Sequence, residues 1–433
     1  MAYNYNGKEP VKIAIDELSD KHKDLIFDNK SFCILPWLHL HSFPTGQAYP
    51  CCNTEMANKI GNTNEQSLEE IWNDAPMRDV RKRMIAGEHV EGCKRCYEQE
   101  DAGFFSMRLS SNKHFGHHMK LVDDTLDDGT LPNMKIVYWD IRFSNLCNLR
   151  CRSCGHIFSS NWYDDQAKLV DLEHGSGEGW KSRHKRLYFA GRTEDDMWDQ
   201  LKDQIDNLEQ VYFAGGEPLI MEEHYRLLHE LIKRGRTDVR LIYNTNFSEV
   251  VYKKTNVLDL WKEFKSVSVG ASLDAMGAHA EYIRKNTDWT QVERNREMML
   301  KICPKVDFYI SPTLSIMNLW HIPDFHKDWV SKGFLKPQDL NINILQDPAF
   351  FRIDIAPNSY KQQVKLKYEE HIEWLEPQDS LTRATVGFKS AVSFMMADDK
   401  TDLLPKFWDR TNKLDTIRNE KLLDIIPELK ALQ

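Results

Sequence analysis

The sequence predicts an α/β fold, a partial (β/α)6 TIM-like barrel preceded by a small metal-stapled domain and followed by a helical tail. Alternating strand and helix patterns begin at residue 135 and imply a parallel sheet with right-handed crossovers. Cysteines occur in one group before the first predicted barrel strand and in a second group directly after it, and each group suits a metal. The apolar strand runs lie at 136–141, 211–214, 239–243, 267–273, 306–314 and 340–345.

The length and composition indicate a multidomain chain without a membrane span. A chain of 433 residues has room for two or three domains. A formal net charge of −9 argues against general binding to nucleic-acid phosphates. No long apolar run or signal-peptide pattern is found, so the clustered cysteines are interpreted as metal ligands rather than disulfides, in a reducing cytoplasm, and the isolated Cys303 as a buried free thiol. The predicted domains are a lead-in at 1–30, a cysteine-containing domain at 31–110, a linker at 111–134, the barrel at 135–355 and a helical extension at 356–433.

The lead-in shows a loose helical period through Val11, Ile13 and Ile15. A hairpin is then predicted over residues 37–52, with its turn at 44–46. His39 and His41 share one face of this hairpin and are interpreted as packing or hydrogen-bonding residues.

Two short helices are predicted after the hairpin. The pattern S-L-E-E at 67–70 is a capping box, Pro76 suits the first turn of the second helix, and Gly87 suits its end. A C-x2-C pair follows directly. The segment has too little apolar surface to be stable alone, so a shared metal is expected to stabilise it. The candidate ligands are Cys33, Cys51 or Cys52, Cys93 and Cys96.

Cys147, Cys151 and Cys154 lie in the sequence N-L-C-N-L-R-C-R-S-C-G, directly after the first predicted barrel strand. Thiolates from one short loop suit zinc or an iron–sulfur cluster. A closed zinc site needs four ligands, and His156 is too close in sequence to complete the same tetrahedron. Three thiolates on a cubane cluster leave one iron open for catalysis. A zinc site with a distant fourth ligand and a reduced cysteine turn remain as alternatives.

This C-x3-C-x2-C loop resembles that of the radical S-adenosylmethionine (SAM) enzymes. The resemblance implies a [4Fe–4S] cluster on Cys147, Cys151 and Cys154, with SAM chelated to the open iron. It also implies reductive cleavage of SAM to a 5′-deoxyadenosyl radical that abstracts a substrate hydrogen. An electron donor such as flavodoxin or ferredoxin is implied as a partner.

The ends of the second and third predicted strands resemble SAM-binding turns of the same family. The second strand ends in G-G-E-P, and the resemblance assigns Gly215 and Gly216 to the amino group of SAM. Glu217 is expected either to order this turn or to contact that amino group. The third strand ends in Y-N-T-N, which resembles the family's T-N-G turn but departs from it at residues 246–247. Asn244 is a candidate for contact with ribose or substrate.

The fourth predicted strand ends in S-L-D, which resembles a further SAM-binding turn of the family. By this resemblance Ser272 contacts the SAM ribose. Arg284 contacts the SAM carboxylate, for which a guanidinium is well suited. The residue before the third cysteine is usually aromatic in the family, whereas here it is Ser153.

The segment from Cys33 to Cys96 resembles the SPASM/twitch auxiliary-cluster domain of many radical SAM enzymes. The matching features are Cys33 with P-W at 36–37, G-x4-C ending at Cys51, S-L-x-x-I-W-N at 67–73, and the final C-x2-C. A single C-x2-C indicates the one-cluster twitch form. The family places this domain after the barrel, whereas here it comes first. The resemblance implies a second iron–sulfur cluster on Cys33, Cys51, Cys93 and Cys96, with Cys51 preferred to Cys52 because it fits the spacing.

These motifs together predict a radical SAM enzyme whose auxiliary cluster accepts the substrate electron. Such a reaction would be of the oxidoreductase type, on a peptide, sugar or nucleotide-type substrate. One alternative is a non-catalytic cysteine-rich scaffold for protein interaction, with structural zinc at the N-terminal cysteines. Another is a degenerate radical SAM fold without turnover. The insertion at 155–195 is expected to be a solvated loop, and the C-terminal tail is expected to pack on one of the domains.

Overall fold

The strands follow the predicted order along the chain, in a computed structural model that describes residues 15–103 and 105–432. The helical period predicted at Val11 and Ile13 lies outside these residues. The strands are β1 His39–Ser42, β2 Gln47–Tyr49, β3 Gly61–Asn62, β4 Tyr138–Ile141, β5 Arg150–Cys151, β6 Gln210–Phe213, β7 Arg240–Thr245, β8 Val251–Tyr252, β9 Thr255–Asn256, β10 Val267–Ala271, β11 Arg284–Lys285, β12 Asp307–Ile310, β13 Thr313–Leu314 and β14 Asn343–Ile344.

Helices separate most of these strands and form the C-terminal part of the chain. They are α1 Asp20–Lys23, α2 Leu68–Trp72, α3 Ala75–Ile85, α4 Lys94–Asp101, α5 Met107–Phe115, α6 Lys120–Asp123, α7 Trp162–His174, α8 Gly177–Lys181, α9 Asp196–Leu201, α10 Glu222–Lys233, α11 Val257–Trp261, α12 Gly277–Ile283, α13 Trp289–Ile302, α14 Ile322–Ser331, α15 Asn358–Leu375, α16 Arg383–Ala397, α17 Leu404–Arg418 and α18 Leu422–Ile425.

Two compact units are present, and they divide the chain differently from the predicted domains. The first comprises residues 1–144, 189–215 and 229–242, and the second comprises 145–188, 216–228 and 243–433. The predicted linker at 111–134 contains the end of α5 and all of α6, both within the first unit. Among the described residues, no helix combines the length and the apolar character needed to cross a membrane.

The first unit is built on a sheet that joins the predicted hairpin to the first barrel strand. Its strand order is β6-β4-β1-β2-β3. β1 pairs in parallel with β4, with His39 opposite Tyr138, and β4 pairs in parallel with β6. β2 and β3 are antiparallel additions at the end of this order. Because β1 and β4 share hydrogen bonds, the N-terminal cysteine segment and the first barrel strand form one unit.

Local signals in the first unit form as predicted. Ser67 and Glu70 make a complete capping box at the start of α2, with the Ser67 N–H donating to Glu70 Oε2 at 2.7 Å. Pro76 lies in the first turn of α3, and Gly87 follows that helix with φ of +76°. These contacts bring the chain from the hairpin to the C-x2-C pair at the start of α4.

The second unit carries the later strands and the whole C-terminal extension. β10 pairs in parallel with β12, and β13 pairs in parallel with β14. Because parallel pairing occurs in both units, the predicted mixed α/β class is confirmed; the residues that the structure describes form no closed barrel. The last predicted strand run, 340–345, is shorter than expected and contains only β14 and an isolated bridge from Leu340 to Ile310.

Candidate functional site

Four cysteines of the first unit surround one cavity. The cavity is lined by Cys33, Cys51, Cys93 and Cys96, together with Leu35, Asn53, Thr54, Met84, Met107 and Arg108. These are the four ligands that the sequence predicts for an auxiliary cluster. Cys52 does not belong to this lining. The choice of Cys51 over its neighbour as a ligand stays a prediction.

The electrostatics of this cavity favour a positively charged metal group. Burial, together with the neighbouring Cys51 and Cys96, raises the pKa of Cys33 above the ordinary thiol value. Burial and Cys96 raise the pKa of Cys51 to about 11. Burial and the other three thiols raise the pKa of Cys93 well above its ordinary value. Thiolates crowded in this way need a cation to compensate them, which is what a coordinated metal supplies.

Polar residues that the sequence did not single out support this centre. The Asn53 amide donates to Cys96 Sγ at 3.3 Å, and Thr54 Oγ1 lies 3.6 Å from Cys51 Sγ. Arg108 is buried at the cavity wall, where it pairs with Glu100 and donates to the Phe32 carbonyl at 2.9 Å. Asn53 and Thr54 directly follow the cysteine pair, so their proximity was predictable. Arg108 comes from α5, and no local pattern indicated it.

Cys52 has a different environment from Cys51. Burial raises its pKa, and the next largest cause is the carboxylate of Asp140 on β4 rather than the cysteine cavity. Asp140 is fully buried, and its Oδ2 lies 3.0 Å from His41 Nδ1. His41 and His39 also place Nδ1 against the backbone carbonyls of Asp140 and Tyr138. The packing and hydrogen-bonding roles expected for these histidines are confirmed.

The second cysteine group lies on a loop of the second unit that is held by a short sheet. β5 contains Cys151 and pairs in an antiparallel manner with β11, so that Cys151 lies opposite Arg284. The Arg152 N–H donates to the Ile283 carbonyl at 2.8 Å, and the Trp162 indole donates to the Cys151 carbonyl at 2.8 Å. The Cys147 N–H donates to Ser160 Oγ at 3.3 Å. The loop is therefore fixed by backbone contacts on both sides of Cys151.

The pKa values of all three thiols of this loop are raised, and Cys151 contributes to the rise at Cys147 and Cys154. For Cys147 the causes are burial, then Cys151 and Glu217. Burial and Cys151 raise the pKa of Cys154 to about 12. Burial also raises the pKa of Cys151, but the Arg284 guanidinium opposes that shift. As in the first unit, the thiolate forms require a metal or another cation.

The sulfur atoms of each cysteine group are not closely packed in the structure. Zn–S bonds of ~2.3 Å in a tetrahedral site place the sulfur atoms about 3.8 Å apart. Among the residues described, no three cysteine sulfurs all lie within 4.8 Å of one another. A polynuclear cluster spaces its thiolate ligands more widely than one ion does.

Arg284 lies at the triad, where its guanidinium contacts both Asp274 and Cys151. Its Nε and one terminal nitrogen donate to the two Asp274 oxygens at 2.8 and 3.0 Å. The other terminal nitrogen donates to Cys151 Sγ at 3.5 Å. Asp274 is in turn held by the Thr313 N–H at 2.8 Å and, through its carbonyl, by the Asn318 amide at 2.9 Å. The sequence identified Arg284, but Asp274 was missed although it ends the S-L-D pattern.

Glu217 orders the glycine-containing turn. It is fully buried and accepts hydrogen bonds from the Thr245 hydroxyl at 2.7 Å, the Asn246 N–H at 2.6 Å and the Leu219 N–H at 3.0 Å. Gly215 and Gly216 have φ of +79° and +48°, a region that favours glycine. These contacts support the turn-ordering role that the sequence analysis proposed for Glu217.

Burial raises the pKa of Glu217 from 4.5 to about 7, against the opposing effect of its three hydrogen-bond donors. Between these two values the folded chain binds more protons than the unfolded chain, so stability falls as the pH rises. This contribution is fully present below pH 4.5 and is lost as the pH passes about 7. It amounts to ~3 kcal/mol. Anaerobic thermal melting at pH 5.5 and 7.5 should show a smaller pH effect for Glu217→Gln than for the wild type. Equal pH effects would contradict this assignment.

Asn244 and Ser272 lie at neighbouring strand ends of the second unit. The Ser272 N–H donates to the Thr245 carbonyl at 2.7 Å, which joins the ends of β7 and β10. Asn244 lies against Gly270, where an added Cβ would come within 2.9 Å of its Oδ1. Both residues thus occupy the strand-end positions that the sequence predicted. Their contacts with a ligand stay a prediction.

The third strand end shows how this chain accommodates a departure from the T-N-G turn. Phe247 occupies the glycine position and adopts φ of +56°, which is uncommon for a bulky side chain. It is fully buried, its N–H donates to Thr245 Oγ1 at 3.0 Å, and its carbonyl accepts from the Asn295 amide at 3.0 Å. These contacts hold the strained backbone in place.

The insertion at 155–195 is more ordered than expected. Instead of a solvated loop it forms α7 and α8, because Trp162 and Leu169 pack with Leu414 of the C-terminal extension and Cys154 lies against this cluster. His156, in the same insertion, contacts the Trp180 ring edge-to-face, with ring centroids 4.9 Å apart. The solvated-loop expectation is therefore wrong for the helical part of the insertion.

The C-terminal extension is tied to the triad loop through buried charges. Arg152, between the second and third cysteines, pairs with Asp415 at 2.5 Å and Glu420 at 2.7 Å. Its guanidinium also lies 3.7 Å from the centre of the Tyr282 ring. Arg418 pairs with Asp165 of α7 at 2.9 Å. The tail thus packs within the second unit and supports the loop that carries Cys147, Cys151 and Cys154.

We expect Asp415→Ala to lower the free energy of unfolding by ~3 kcal/mol, because it leaves the buried Arg152 charge only partly compensated. The triad loop should then hold less iron. The matched control is Asp409→Ala on the same helix, since Asp409 pairs with Lys413 at the surface of the protein. Anaerobic thermal melting and iron analysis should separate the two variants. Equal behaviour would show that this network does not support the loop.

Comparison with known proteins finds a family model that matches the N-terminal segment. Residues 33–97 match the model of the SPASM family, described as an iron–sulfur cluster-binding domain. The match contains all four cysteines of the cavity. The predicted resemblance to the SPASM domain is thus confirmed in this segment, and the match supports an iron–sulfur cluster there. No curated protein matches the chain.

Several solved structures show a limited likeness in fold. Native anSMEcpe with bound AdoMet is 20% identical, with a TM-score of 0.34, and the match covers 54% of this chain and 59% of that protein. Hexahistidine-tagged anSMEcpe with bound AdoMet is 19% identical, with a TM-score of 0.38, over 55% of this chain and 58% of that protein. TYW1 with a lysine-pyruvate adduct bound is 15% identical, with a TM-score of 0.28, and the match covers 57% of this chain and 72% of that protein. This chain therefore matches less than two thirds of the length of anSMEcpe.

Proposed function

We propose that this protein is a radical SAM enzyme with an auxiliary iron–sulfur cluster. The observation that carries the proposal is the triad of Cys147, Cys151 and Cys154 on one short loop, where the Arg284 guanidinium donates to Cys151 Sγ at 3.5 Å. A [4Fe–4S] cluster bound there would supply one electron to SAM, releasing methionine and a 5′-deoxyadenosyl radical that takes a hydrogen atom from the substrate.

Arg284 is proposed to act on both the triad and SAM. Its positive charge opposes the rise in the pKa of Cys151, so it stabilises the thiolate form of that ligand. Asp274 accepts from Nε and one terminal nitrogen of Arg284, so the edge formed by the two terminal nitrogens remains for a SAM carboxylate beside Cys151 Sγ. This geometry is compatible with the carboxylate contact expected from the sequence.

Glu217 and the two glycines are proposed to shape the SAM pocket. The carboxylate of Glu217 is occupied by three donors from its own turn and from the end of β7. It therefore orders the backbone of the glycine turn, whose peptide groups remain for the amino group of SAM. Asn244 and Ser272 are proposed to contact the ribose or substrate from the neighbouring strand ends.

The auxiliary centre is proposed to hold its cluster with four cysteine ligands. Full ligation by Cys33, Cys51, Cys93 and Cys96 favours electron transfer over direct binding of substrate. The substrate radical would then lose one electron to this centre and one proton to a base or water, which gives a net oxidation. We propose a peptide, sugar or nucleotide-type substrate, a flavodoxin or ferredoxin as electron donor, and a reducing cytoplasmic location.

The test is anaerobic reconstitution followed by reduction with dithionite and incubation with SAM. We expect 5′-deoxyadenosine and methionine in equal amounts, detected by chromatography. A protein that binds zinc and no iron would contradict the proposal and favour a structural scaffold. Two assembled clusters without any cleavage of SAM would favour a degenerate fold.

A further inference from the structure

We propose that His117, His118 and Glu209 form a binding site for a divalent transition-metal ion, separate from both cysteine groups. His117 and His118 are adjacent in the 3₁₀ turn Gly116–His118, directly after α5. Glu209 immediately precedes β6. All three residues belong to the first unit.

The donor atoms of these residues converge. His117 Nε2 lies 3.1 and 3.0 Å from the two carboxylate oxygens of Glu209, and His118 Nε2 lies 2.8 Å from Oε1. Among the residues described, this is the one group of three His, Cys, Asp or Glu whose donor atoms all lie within 4.8 Å. Metal–ligand bonds of ~2.1 Å in a tetrahedral site place neighbouring donors about 3.4 Å apart. A cation could enter after the carboxylate moves by only a few tenths of an ångström.

The backbone holds the ligands in this position before a metal binds. The Glu209 N–H donates to the Val137 carbonyl at 2.9 Å, and the Glu209 carbonyl accepts from the Arg240 N–H at 2.9 Å. The histidine turn is fixed at both ends by Phe115 and Met119, which are 2% and 1% exposed. Phe115 also stacks on Tyr138 of β4 at 5.7 Å. Pre-positioned ligands reduce the entropy that binding must overcome.

The residue types indicate the class of metal. Two imidazoles and one carboxylate suit zinc, ferrous iron or nickel rather than calcium or magnesium, which prefer oxygen ligands. The three side chains are between 14% and 24% exposed, so an ion can reach them and a water molecule can complete the coordination. Three protein ligands with one open position are typical of accessible zinc sites.

The position of the site favours a structural or regulatory ion. Glu209 precedes β6, whereas Gly215 follows the other end of the strand, a separation of roughly 20 Å at ~3.3 Å per residue. Active sites of parallel α/β folds lie at the carboxyl ends of the strands. An ion at Glu209 would instead join α5 to the amino end of β6. This inference does not depend on the proposed SAM chemistry.

The test uses reconstituted protein with both clusters loaded, dialysed anaerobically against micromolar zinc. We expect one zinc ion per chain beyond the iron content, measured by inductively coupled plasma mass spectrometry. Glu209→Gln and His118→Asn should each weaken this binding at least tenfold, whereas His229→Asn, an exposed histidine of the same unit, should not. Zinc uptake equal in Glu209→Gln and wild type would overturn the proposal.

X-ray absorption at the zinc edge keeps the test decisive if a variant is unstable. For the wild type we expect nitrogen and oxygen neighbours at ~2.0–2.2 Å and no sulfur at ~2.3 Å. Zinc bound to sulfur, or taken up only as iron is lost, would place it at the cysteines and overturn the proposal.

Discussion

Cys147→Ala should abolish SAM cleavage while the auxiliary centre remains intact. The variant leaves only Cys151 and Cys154 on the loop, and two thiolates do not hold a cubane cluster with a single open iron. We expect the iron content to fall by about four atoms per chain, and 5′-deoxyadenosine to fall below detection. Metal analysis, electron paramagnetic resonance and chromatography measure these three quantities.

The matched control for this variant is Cys303→Ala. Cys303 is also a buried thiol of the second unit, 4% exposed, but it belongs to neither cysteine group. Both clusters and SAM cleavage should survive this change. If Cys147→Ala keeps its full iron content and its activity, the triad is not the catalytic centre.

Cys51→Ser and Cys52→Ser should have opposite effects on the auxiliary cluster although the residues are adjacent. Cys51 lines the cavity with the three other cysteines, whereas Cys52 lies outside that lining and has its pKa raised by burial and then by Asp140. We expect Cys51→Ser to lose the auxiliary cluster and Cys52→Ser to keep it. The triad cluster, and SAM cleavage without substrate, should persist in both variants.

Iron and sulfide analysis with Mössbauer spectroscopy distinguishes the two variants. If Cys52→Ser loses the cluster and Cys51→Ser keeps it, the ligand assignment is reversed. Loss in both variants would mean that the serine disturbs the hairpin rather than the metal. Cys33→Ser then provides an independent check, because Cys33 precedes the hairpin and lines the same cavity.

Short-range features were predictable because their signals lie within a few residues. The capping box at Ser67 and Glu70, the glycine turn before Glu217 and the Cys151 loop all depend on local spacing. Gly215 and Gly216 adopt the positive φ that their turn requires. The SPASM match over 33–97 confirms the most specific of these patterns.

Long-range contacts were not predictable from such patterns. The pairing of β1 with β4 joins residues about 100 positions apart, and no turn or linker pattern encodes it. The contact from Arg152 to Asp415 spans 263 positions. The sequence of residues 155–195 predicts a solvated loop, yet Trp162 in this segment is buried because it packs with Leu414. Each of these depends on tertiary packing that a single sequence does not reveal.

The same limit applies to the residues proposed to contact SAM. The S-L-D pattern identified Arg284, but the bidentate contact with Asp274 appears only when the two residues are placed together in space. Glu217 could be assigned either to SAM or to its own turn until its three donors were known. The structure thus refines the roles of residues that the sequence could only select.

The proposal that SAM binds a cluster held by Cys147, Cys151 and Cys154 can be tested directly by spectroscopy. The measurement is electron–nuclear double resonance on reduced Cys33→Ser protein, which should hold only the triad cluster, with SAM labelled with ¹⁵N at its amino group. We predict a ¹⁵N hyperfine coupling to the cluster, because three cysteines leave one iron open to the amino group. A fully loaded triad cluster whose spectrum shows no coupling to labelled SAM would contradict the account.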